Sequence, residues 1–251
     1  MMKRYAGIDI GSRTIKVALI EDRKVIGYKV EDTGVEFLKK SKEMIKDYKP
    51  SRVMATGYGR NLAKGDYAHG IISEIKAHAM GARHLFPRCR TILDVGGQDC
   101  KAISLEDDGT VKNFELNDRC AAGTGRFLEV MARVLGFSVD EFGKKALKSK
   151  SPAQITNVCT VFTESEVISL LSQGVDPKDI AFGLHQATME RLKGMLLRIG
   201  VNGDVVFSGG AARNTCLRSL LEKVLERKIK VYRCPEIIGA MGCALAARDI
   251  G

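Results

Sequence analysis

The 251-residue sequence contains no tryptophan, and aromatic residues make up only 6% of it. Nucleic-acid-binding proteins usually combine stacking aromatics with clustered basic residues. Here the basic residues are spread along the chain, although the formal net charge is +10. We therefore expect no nucleic-acid partner, and interpret the charge as a face that meets an acidic protein or a polyanionic ligand.

Long hydrophobic runs are also missing, since no apolar stretch near the amino terminus has the length of a signal-peptide core or a membrane span. This predicts a cytoplasmic protein without a membrane partner. The seven cysteines form no CxxC pair, which argues against a disulfide framework and against a zinc finger. The four histidines lack HExxH spacing, so catalytic zinc is not expected.

An internal repeat organises the chain. Residues 7–20, GIDIGSRTIKVALI, match residues 93–105, LDVGGQDCKAISL. The aligned pairs are Asp9 with Asp94, Gly11 with Gly96 and Lys16 with Lys101. Each copy predicts a β-hairpin with an acid near the end of its first strand and a turn of residues that tolerate unusual backbone angles. Either hairpin alone could be a plain surface hairpin, but the pair predicts a duplicated fold with two facing lobes.

The two hairpin turns are candidate phosphate-binding elements, because turn amides can form concave nests for phosphate oxygens. Asp9 and Asp94 are placed to hold a hydrated Mg²⁺ through water. Lys16 would neutralise phosphate charge, while Gln98 or Asp99 could orient the attacking water. The binding residues predicted in the two turns are Ser12, Arg13, Thr14, Lys16, Gly96, Gly97 and Gln98.

A third glycine-rich element lies at residues 205–214, VVFSGGAARN, where an apolar strand runs into a Gly-Gly turn and then a helix starting near Asn214. Gly209 and Gly210 would let the backbone approach a flat nucleoside closely, although Gly-Gly turns are also common in plain strand-to-helix packing. The closing segment at residues 237–247 predicts a helix of small residues, suited to core packing or to a hinge between lobes.

The remaining pattern alternates strands and helices, which predicts an α/β protein. Expected helices are 34–47, 71–85 and 176–199, and expected strands are 52–57 and 91–95. We expect the chain to pass between lobes near residues 88 and 236. Lobe I would comprise residues 1–87 and 236–251, and lobe II residues 88–235.

The order of GIDIG, LDVGG, FSGGAARN and IIGAMGCA resembles the phosphate-1, phosphate-2, adenosine and connecting motifs of the superfamily of actin, sugar kinases and heat-shock chaperones. The resemblance covers nearly the whole chain. It implies an actin-like ATPase fold, with two RNase H-like lobes around a cleft that binds ATP or ADP.

A narrower resemblance lies in residues 117–136 and 157–174, which are similar to the cysteine segments of the activators of 2-hydroxyacyl-CoA dehydratases. That family is shared with the ATPase subunits of benzoyl-CoA reductase. The resemblance implies one 4Fe-4S cluster between two identical subunits, with Cys120 and Cys159 as ligands. It also places Thr124 and Ala211 near the nucleotide, although Thr124 could simply cap a helix.

The residues support a shared cluster independently of the resemblance. A cubane cluster needs four thiolates, and a chain with two distinctive cysteines supplies four most simply across a twofold axis, which predicts a homodimer. Cys120 precedes a turn and a helix running to about Leu135, whose positive end would favour an anionic cluster. The other five cysteines are expected to be core or surface thiols.

The resemblance implies that ferredoxin or flavodoxin reduces the cluster, and that an electron then passes to a dehydratase or reductase component carrying iron–sulfur clusters. ATP hydrolysis would gate that transfer through lobe motion. One alternative is a small-molecule kinase, which would need a sugar- or acid-binding insertion and an aspartate base against the acceptor hydroxyl, and the chain is short for that. Another is a nucleotide-dependent chaperone or regulator without a redox centre. Iron content would distinguish these alternatives from the activator.

Overall fold

The computed structural model describes residues 3–157 and 159–250 of the chain. The outermost residues of the predicted lobes, and Val158 within the second cysteine segment, lie outside the described residues. The described chain folds into two five-stranded sheets with helices packed on them, which confirms the predicted α/β class.

The first sheet is built from the amino-terminal part of the chain. Its strands are β1 (Arg4–Ile10), β2 (Thr14–Glu21), β3 (Lys24–Asp32), β4 (Arg52–Gly57) and β5 (Gly70–Ile71). The spatial order is β3-β2-β1-β4-β5. The first three strands pair in an antiparallel manner, whereas β4 and β5 run parallel to β1.

The second sheet repeats this arrangement. Its strands are β6 (Cys89–Val95), β7 (Cys100–Leu105), β8 (Val111–Asn117), β9 (Asp204–Ser208) and β10 (Ile229–Lys230), in the order β8-β7-β6-β9-β10. Here too, three antiparallel strands are followed by two parallel ones. The internal repeat of the sequence therefore corresponds to two sheets of the same topology.

The helices follow the predicted positions closely. They are α1 (Phe37–Lys46), α2 (Arg60–Asp66), α3 (Glu74–Leu85), α4 (Gly125–Val134), α5 (Val139–Ala146), α6 (Thr160–Ser172), α7 (Pro177–Ile199), α8 (Thr215–Leu225) and α9 (Ile238–Asp249). The helix predicted at residues 71–85 begins later, because Ile71 pairs with β4 and the Ser73 hydroxyl accepts a hydrogen bond from Lys76 N.

Helices α3 and α9 contact each other at backbone distance. A Cβ added at Gly242 would lie 1.8 Å from the carbonyl oxygen of Ala77, and one added at Gly81 would lie 2.1 Å from that of Ile238. Helix α9 also lies against β1, since a Cβ at Gly7 would meet Ala240 O at 1.9 Å. Small residues in the closing segment therefore permit the close helix packing that the sequence predicts.

Helix α3 contacts the second sheet as well. Its Ala79 and Ala82 belong to an apolar cluster with Ile92 and Val206, while Ala77 packs with Met54 of the first sheet. The helix thus carries side chains toward both sheets. Among the helices of residues 3–157 and 159–250, none is long and apolar enough to cross a membrane.

Candidate functional site

A cavity of about 690 Å³ lies between the turns of the two repeated hairpins. Most of the residues predicted to bind nucleotide line it, although they come from three separate parts of the sequence. These are Asp9, Ser12, Arg13, Thr14, Lys16, Asp94, Gly96, Gly97, Gly209, Gly210 and Ala211. A volume of this size suits a small-molecule ligand.

Two predicted residues do not line the cavity. Gln98 is exposed at the outside of its turn, whereas its neighbour Asp99 lines the cavity. Thr124 is fully buried, and its hydroxyl donates to the carbonyl of Ala121 at 2.6 Å. Thr124 precedes α4 at the cap position, but its side chain makes no capping hydrogen bond. The structure therefore brings neither Gln98 nor Thr124 into the cavity.

The first hairpin places an acid and a lysine directly opposite each other. Asp9 pairs with Lys16 in the strand register, and Lys16 Nζ donates to Asp9 Oδ2 at 3.1 Å. Gly11 N donates to Thr14 O at 3.1 Å, which closes the turn. Asp9 is buried, so the lysine compensates a carboxylate that water reaches poorly.

The second hairpin has the same register but a larger charged cluster. Lys101 lies opposite Asp94, and its Nζ is 2.7 Å from Asp99, 2.8 Å from Glu74 and 3.3 Å from Asp94. Burial acts to lower the pKa of Lys101, but the three carboxylates outweigh burial and raise it well above its usual value. Lys101 is therefore a permanent cation.

Asp94 is bound from several sides. Ser208 Oγ donates to Asp94 Oδ1 at 2.8 Å, and His78 Nε2 lies 3.5 Å from Oδ2. Burial opposes ionisation of Asp94, but the charges of His78 and Lys101 and the Ser208 hydrogen bond overcome it and lower the pKa to about 2. Lys16 contributes to that shift, so the two hairpins share one electrostatic field.

The two turns also meet sterically. A Cβ added at Gly97 would lie 2.7 Å from Arg13 Cβ, which is too close for any side chain. Arg13 in turn lies 3.5 Å from Glu129 on α4. Glycine at position 97 thus permits the contact that closes one end of the cavity.

The second turn is joined to the first turn of α4 by backbone hydrogen bonds. Gly125 N donates to Gly96 O at 2.9 Å, and Arg126 N donates to Gly97 O at 2.8 Å. Helix amino ends leave such N–H groups without an intrahelical partner. Here the carbonyl oxygens of the second turn, at Gly96 and Gly97, accept hydrogen bonds from them. The candidate phosphate site is consequently bonded to the helix that follows Cys120.

Cys120 and Cys159 both precede helices. Cys159 is exposed and occupies the cap position of α6, while the half-buried Cys120 lies just before α4. Within the described part of the chain, no three His, Cys, Asp or Glu side chains are grouped to hold a metal ion. One chain therefore presents two accessible thiols, Cys120 and Cys159.

The remaining cysteines are buried, and burial raises the pKa of each thiol. The pKa is about 12 for Cys89 and Cys216 and about 11 for Cys234, and it lies well above the usual range for Cys100 and Cys243. These five are protonated at neutral pH and withdrawn from the surface, as expected of core thiols.

A buried histidine supports Asn214 at the wall of the cavity. Asn214 lines the cavity, its Oδ1 accepts from Leu217 N at 3.0 Å, and its Nδ2 lies 2.9 Å from His185 Nε2. His185 Nδ1 lies 2.6 Å from Ala181 O, so this nitrogen carries the proton and Nε2 accepts. Burial lowers the pKa of His185 to about 4, which keeps the ring neutral.

Sequence reasoning missed the contributions of α3 to the cavity. Glu74 and His78 are four residues apart, so they lie on one face of the helix. Both line the cavity, where they contact Lys101 and Asp94. The spacing within SEIKAHA could have suggested a shared face, but it does not show that this face meets the second hairpin.

Comparisons with known proteins agree with this arrangement. Residues 6–247 match the BadF/BadG/BcrA/BcrD ATPase family. The activator of lactoyl-CoA dehydratase from Anaerotignum propionicum is 43% identical, over 97% of this chain and 96% of its own length.

Two solved structures superpose over nearly the full length of both chains. The (R)-2-hydroxyglutaryl-CoA dehydratase component A of Acidaminococcus fermentans gives a TM-score of 0.93 at 38% identity, covering 99% of this chain and 98% of that chain. The activator of the 2-hydroxyisocaproyl-CoA dehydratase from Clostridium difficile, solved with bound ADPNP, gives 0.90 at 37% identity, covering 98% and 95%.

An ethanolamine utilization protein from Carboxydothermus hydrogenoformans and a ROK family glucokinase from Streptomyces griseus give TM-scores of 0.65 and 0.61 at 12% and 10% identity, a likeness that shows the fold alone. The predicted actin-like fold with two RNase H-like halves is confirmed. The resemblance to dehydratase activators, first seen in the two cysteine segments, is confirmed over the whole chain.

Proposed function

This chain belongs to the BadF/BadG/BcrA/BcrD ATPase family, and we propose that it is an ATP-hydrolysing iron–sulfur activator. Its partner would be a 2-hydroxyacyl-CoA dehydratase or a related reductase, to which it donates a low-potential electron. One observation carries the proposal. The two accessible cysteines each precede a helix, and the helix after Cys120 is hydrogen-bonded to the phosphate-2 turn.

The cavity is the proposed site of ATP and ADP, with the phosphates between the two turns and the nucleoside beside Gly209 and Gly210. Lys16 would neutralise phosphate charge once it leaves Asp9. Asp9 and Asp94 would hold Mg²⁺ through water, which suits carboxylates that are already compensated by lysines. The ADPNP bound to a relative of 37% identity supports this use of the cavity.

Asp99 is a better candidate than Gln98 for orienting the attacking water, because Asp99 lines the cavity and Gln98 is exposed. Its carboxylate is held 2.7 Å from Lys101 Nζ, which fixes its direction. Glu74 shares the same lysine from α3 and adds a second acceptor near the same point. A fixed acceptor near the γ-phosphate is the arrangement that nucleotide hydrolysis requires.

The accessible cysteines fit one 4Fe-4S cluster shared by two copies of the chain, since each copy supplies two of four thiolates. The N–H groups that begin α6 would favour negative charge on Cys159, the cap residue of that helix, whereas the first N–H groups of α4 donate to Gly96 and Gly97. When bound, the cluster would accept one electron from a ferredoxin or flavodoxin and release it to the iron–sulfur partner. The arrangement requires a homodimer.

Nucleotide would control the accessibility of Cys120 through backbone contacts. A γ-phosphate would be bound by the turn that contains Gly96 and Gly97. The carbonyl oxygens of these two residues accept hydrogen bonds from the first amides of α4. A shift of that turn therefore moves the start of α4, and with it the loop that carries Cys120. Such rigid-element motion is a common way for nucleotide to be sensed at a distance.

The proposal is tested by anaerobic reconstitution with iron and sulfide. We expect about one 4Fe-4S cluster per dimer, hence about two irons per chain. Cys120→Ala and Cys159→Ala should each lose the cluster, whereas Cys216→Ala, which removes a buried thiol from α8, should retain it. Full iron incorporation in Cys120→Ala would refute the ligand assignment. A colourless, oxygen-insensitive and fully active protein would instead support a kinase or a regulator.

A further inference from the structure

The loop that carries Cys120 is held in place by residues that do not line the nucleotide cavity. We call residues 120–124, between β8 and α4, the Cys120 loop. Asn117, the last residue of β8, donates from Nδ2 to the carbonyl of Cys120 at 3.0 Å and to that of Ala122 at 3.3 Å. One amide group thereby fixes two carbonyls of a short loop.

Arg191 on α7 supports both Asn117 and the loop. Its Nη2 donates to Asn117 Oδ1 at 3.5 Å, so the amide must direct its NH₂ group toward the loop. The arginine stem also lies on Gly123, where an added Cβ would be 3.1 Å from Arg191 Cδ. Gly123 has φ of +83°, a conformation that other residues rarely adopt. Arg191 thus contacts the loop directly as well as through Asn117.

Arg191 lines a side cavity together with Glu115 and Glu190, and it forms a salt bridge with neither carboxylate. Its Nε is buried without a hydrogen-bond partner, and no ion pair of Arg191 is formed within residues 3–157 and 159–250. Arg198, two turns further along the same helix, lines the same side cavity but pairs with Glu115. Leaving a buried guanidinium donor unpaired is costly, which indicates a use for the charge.

We propose that Arg191 is a positioning residue for Cys120, acting through Asn117 and Gly123, and that it holds a positive charge outside any salt bridge beside the Cys120 loop for an anionic thiolate group. The inference rests on the proposed function in one respect, namely that Cys120 is a cluster ligand. It adds that α7, a helix outside the two nucleotide-binding turns, fixes the conformation of the loop. The Arg191 charge on this helix would also favour the reduced, more negative state of a bound cluster.

The loop conformation is tested first in the cluster-free protein, by hydrogen–deuterium exchange of the backbone amides of Thr124, Gly125 and Arg126. These amides donate to Ala121, Gly96 and Gly97, so they report on the loop and on the start of α4. Arg191→Met should speed their exchange about fivefold, the factor expected for one net hydrogen bond. Asn117→Ala should do the same, and Arg198→Met, the matched control, should not change it.

The charge is tested in the reconstituted dimer by the midpoint potential of the cluster. Arg191→Met should make that potential more negative, because a fixed positive charge no longer stabilises the added electron. Arg191→Lys keeps the positive charge but lacks the planar guanidinium group. The midpoint potential should therefore match that of the wild type, whereas the exchange of the Thr124, Gly125 and Arg126 amides should be slowed only part of the way to the wild-type rate. Rescue of the potential by lysine separates the charge from simple packing.

The outcomes are distinct from those of the proposed function. If Arg191→Met and Asn117→Ala exchange as the wild type does, the positioning role is wrong even where a cluster forms. If Arg191→Met keeps the wild-type potential, the charge role is wrong. Absence of a cluster in the wild type would overturn the proposed function and the charge role with it, while the exchange measurement would still decide the positioning role. Should Arg191→Met not fold, Arg191→Gln removes the charge and serves in both measurements, and Asn117→Ala still decides the positioning role.

Discussion

The two repeated hairpins share a sequence pattern and a strand register, but they differ in what they contact. In the first, Lys16 forms a salt bridge with Asp9, and the backbone of the turn is hydrogen-bonded to itself and to Thr33, which follows β3 of the same sheet. In the second, Lys101 pairs with three carboxylates, and the turn accepts hydrogen bonds from the start of α4. The same local sequence signal thus produces a turn whose backbone bonds stay within its own sheet in one half, and a turn bonded through its backbone to a helix in the other.

The difference suggests a division of roles within one ATP site. The first hairpin can exchange Lys16 between Asp9 and a phosphate with little effect beyond the cavity. The second cannot move without disturbing α3 through Glu74, β9 through Ser208 and α4 through Gly96. We infer that the first hairpin mainly binds nucleotide, whereas the second also reports its presence.

The largest expected effect comes from removing the lysines. Lys101→Met leaves three carboxylates around a buried position without their cation, and should lower the free energy of unfolding by about 3–5 kcal/mol. Lys16→Met leaves only one buried carboxylate, Asp9, without its cation, and should cost about 2 kcal/mol. Urea unfolding of both variants measures the difference, and equal losses would contradict the contrast between the hairpins.

Neutralising Asp9 and neutralising Asp94 should have different effects on ATP hydrolysis and on stability. Asp9→Asn should reduce Mg²⁺-dependent ATP hydrolysis about 100-fold, which is the size of effect found when a group acting on transition-state charge is removed. The free energy of unfolding should fall by only about 1 kcal/mol, because the lysine that loses its partner, Lys16, lines the cavity and can be hydrated there. Asp94→Asn should reduce both hydrolysis and stability. Normal hydrolysis by Asp9→Asn would refute its role at the metal.

Acid should weaken the second hairpin through Asp94. Its pKa is about 2 in the folded protein, below the ordinary value of 3.8. The unfolded chain therefore binds the proton more readily, so this stabilisation is complete above pH 4 and is lost as pH falls toward 2. The loss should be about 2 kcal/mol. Unfolding measured between pH 4 and 2 should show a shallower decline in Asp94→Asn, and identical pH profiles would contradict the assignment.

The smallest effect expected is at the contact between the turns. Gly97→Ala places a Cβ 2.7 Å from Arg13 Cβ, which forces the turns apart and should weaken nucleotide binding by about 1 kcal/mol, or roughly fivefold. Gly65→Ala is a suitable control, since nothing lies within 4 Å of a Cβ there. Calorimetric titration with ADP measures both. Unchanged affinity in Gly97→Ala would show that the turns need not touch for binding.

Much of this site could be predicted from the sequence, because the hairpins are local. Asp9 and Asp94 lie next to their turns. The repeat also predicts the strand register that places a lysine directly opposite each of them. Asn214 was likewise predicted at a helix start from its position after Gly-Gly. Local patterns of this kind specify which residues share a turn or a cap.

What the sequence did not reveal depends on which faces of distant elements meet. Glu74 and His78 reach the cavity only because α3 lies against the second hairpin. Arg191 reaches the Cys120 loop from a helix that begins more than fifty residues later in the chain. The choice between Gln98 and Asp99 was also beyond the sequence, because adjacent turn residues point in different directions and only Asp99 is held by Lys101.

The central claim is that nucleotide bound at the second hairpin changes the surroundings of Cys120. It is tested most directly by the rate at which a ferrous chelator removes iron from the reduced, reconstituted dimer, with and without Mg²⁺ and a non-hydrolysable ATP analogue. We predict that the analogue changes this rate severalfold in the wild type. The change should be far smaller in Gly125→Ala, because an added Cβ there lies 2.9 Å from Gly96 O and disturbs the hydrogen bonds between the second turn and α4. Identical rates with and without the analogue in the wild type would contradict the account.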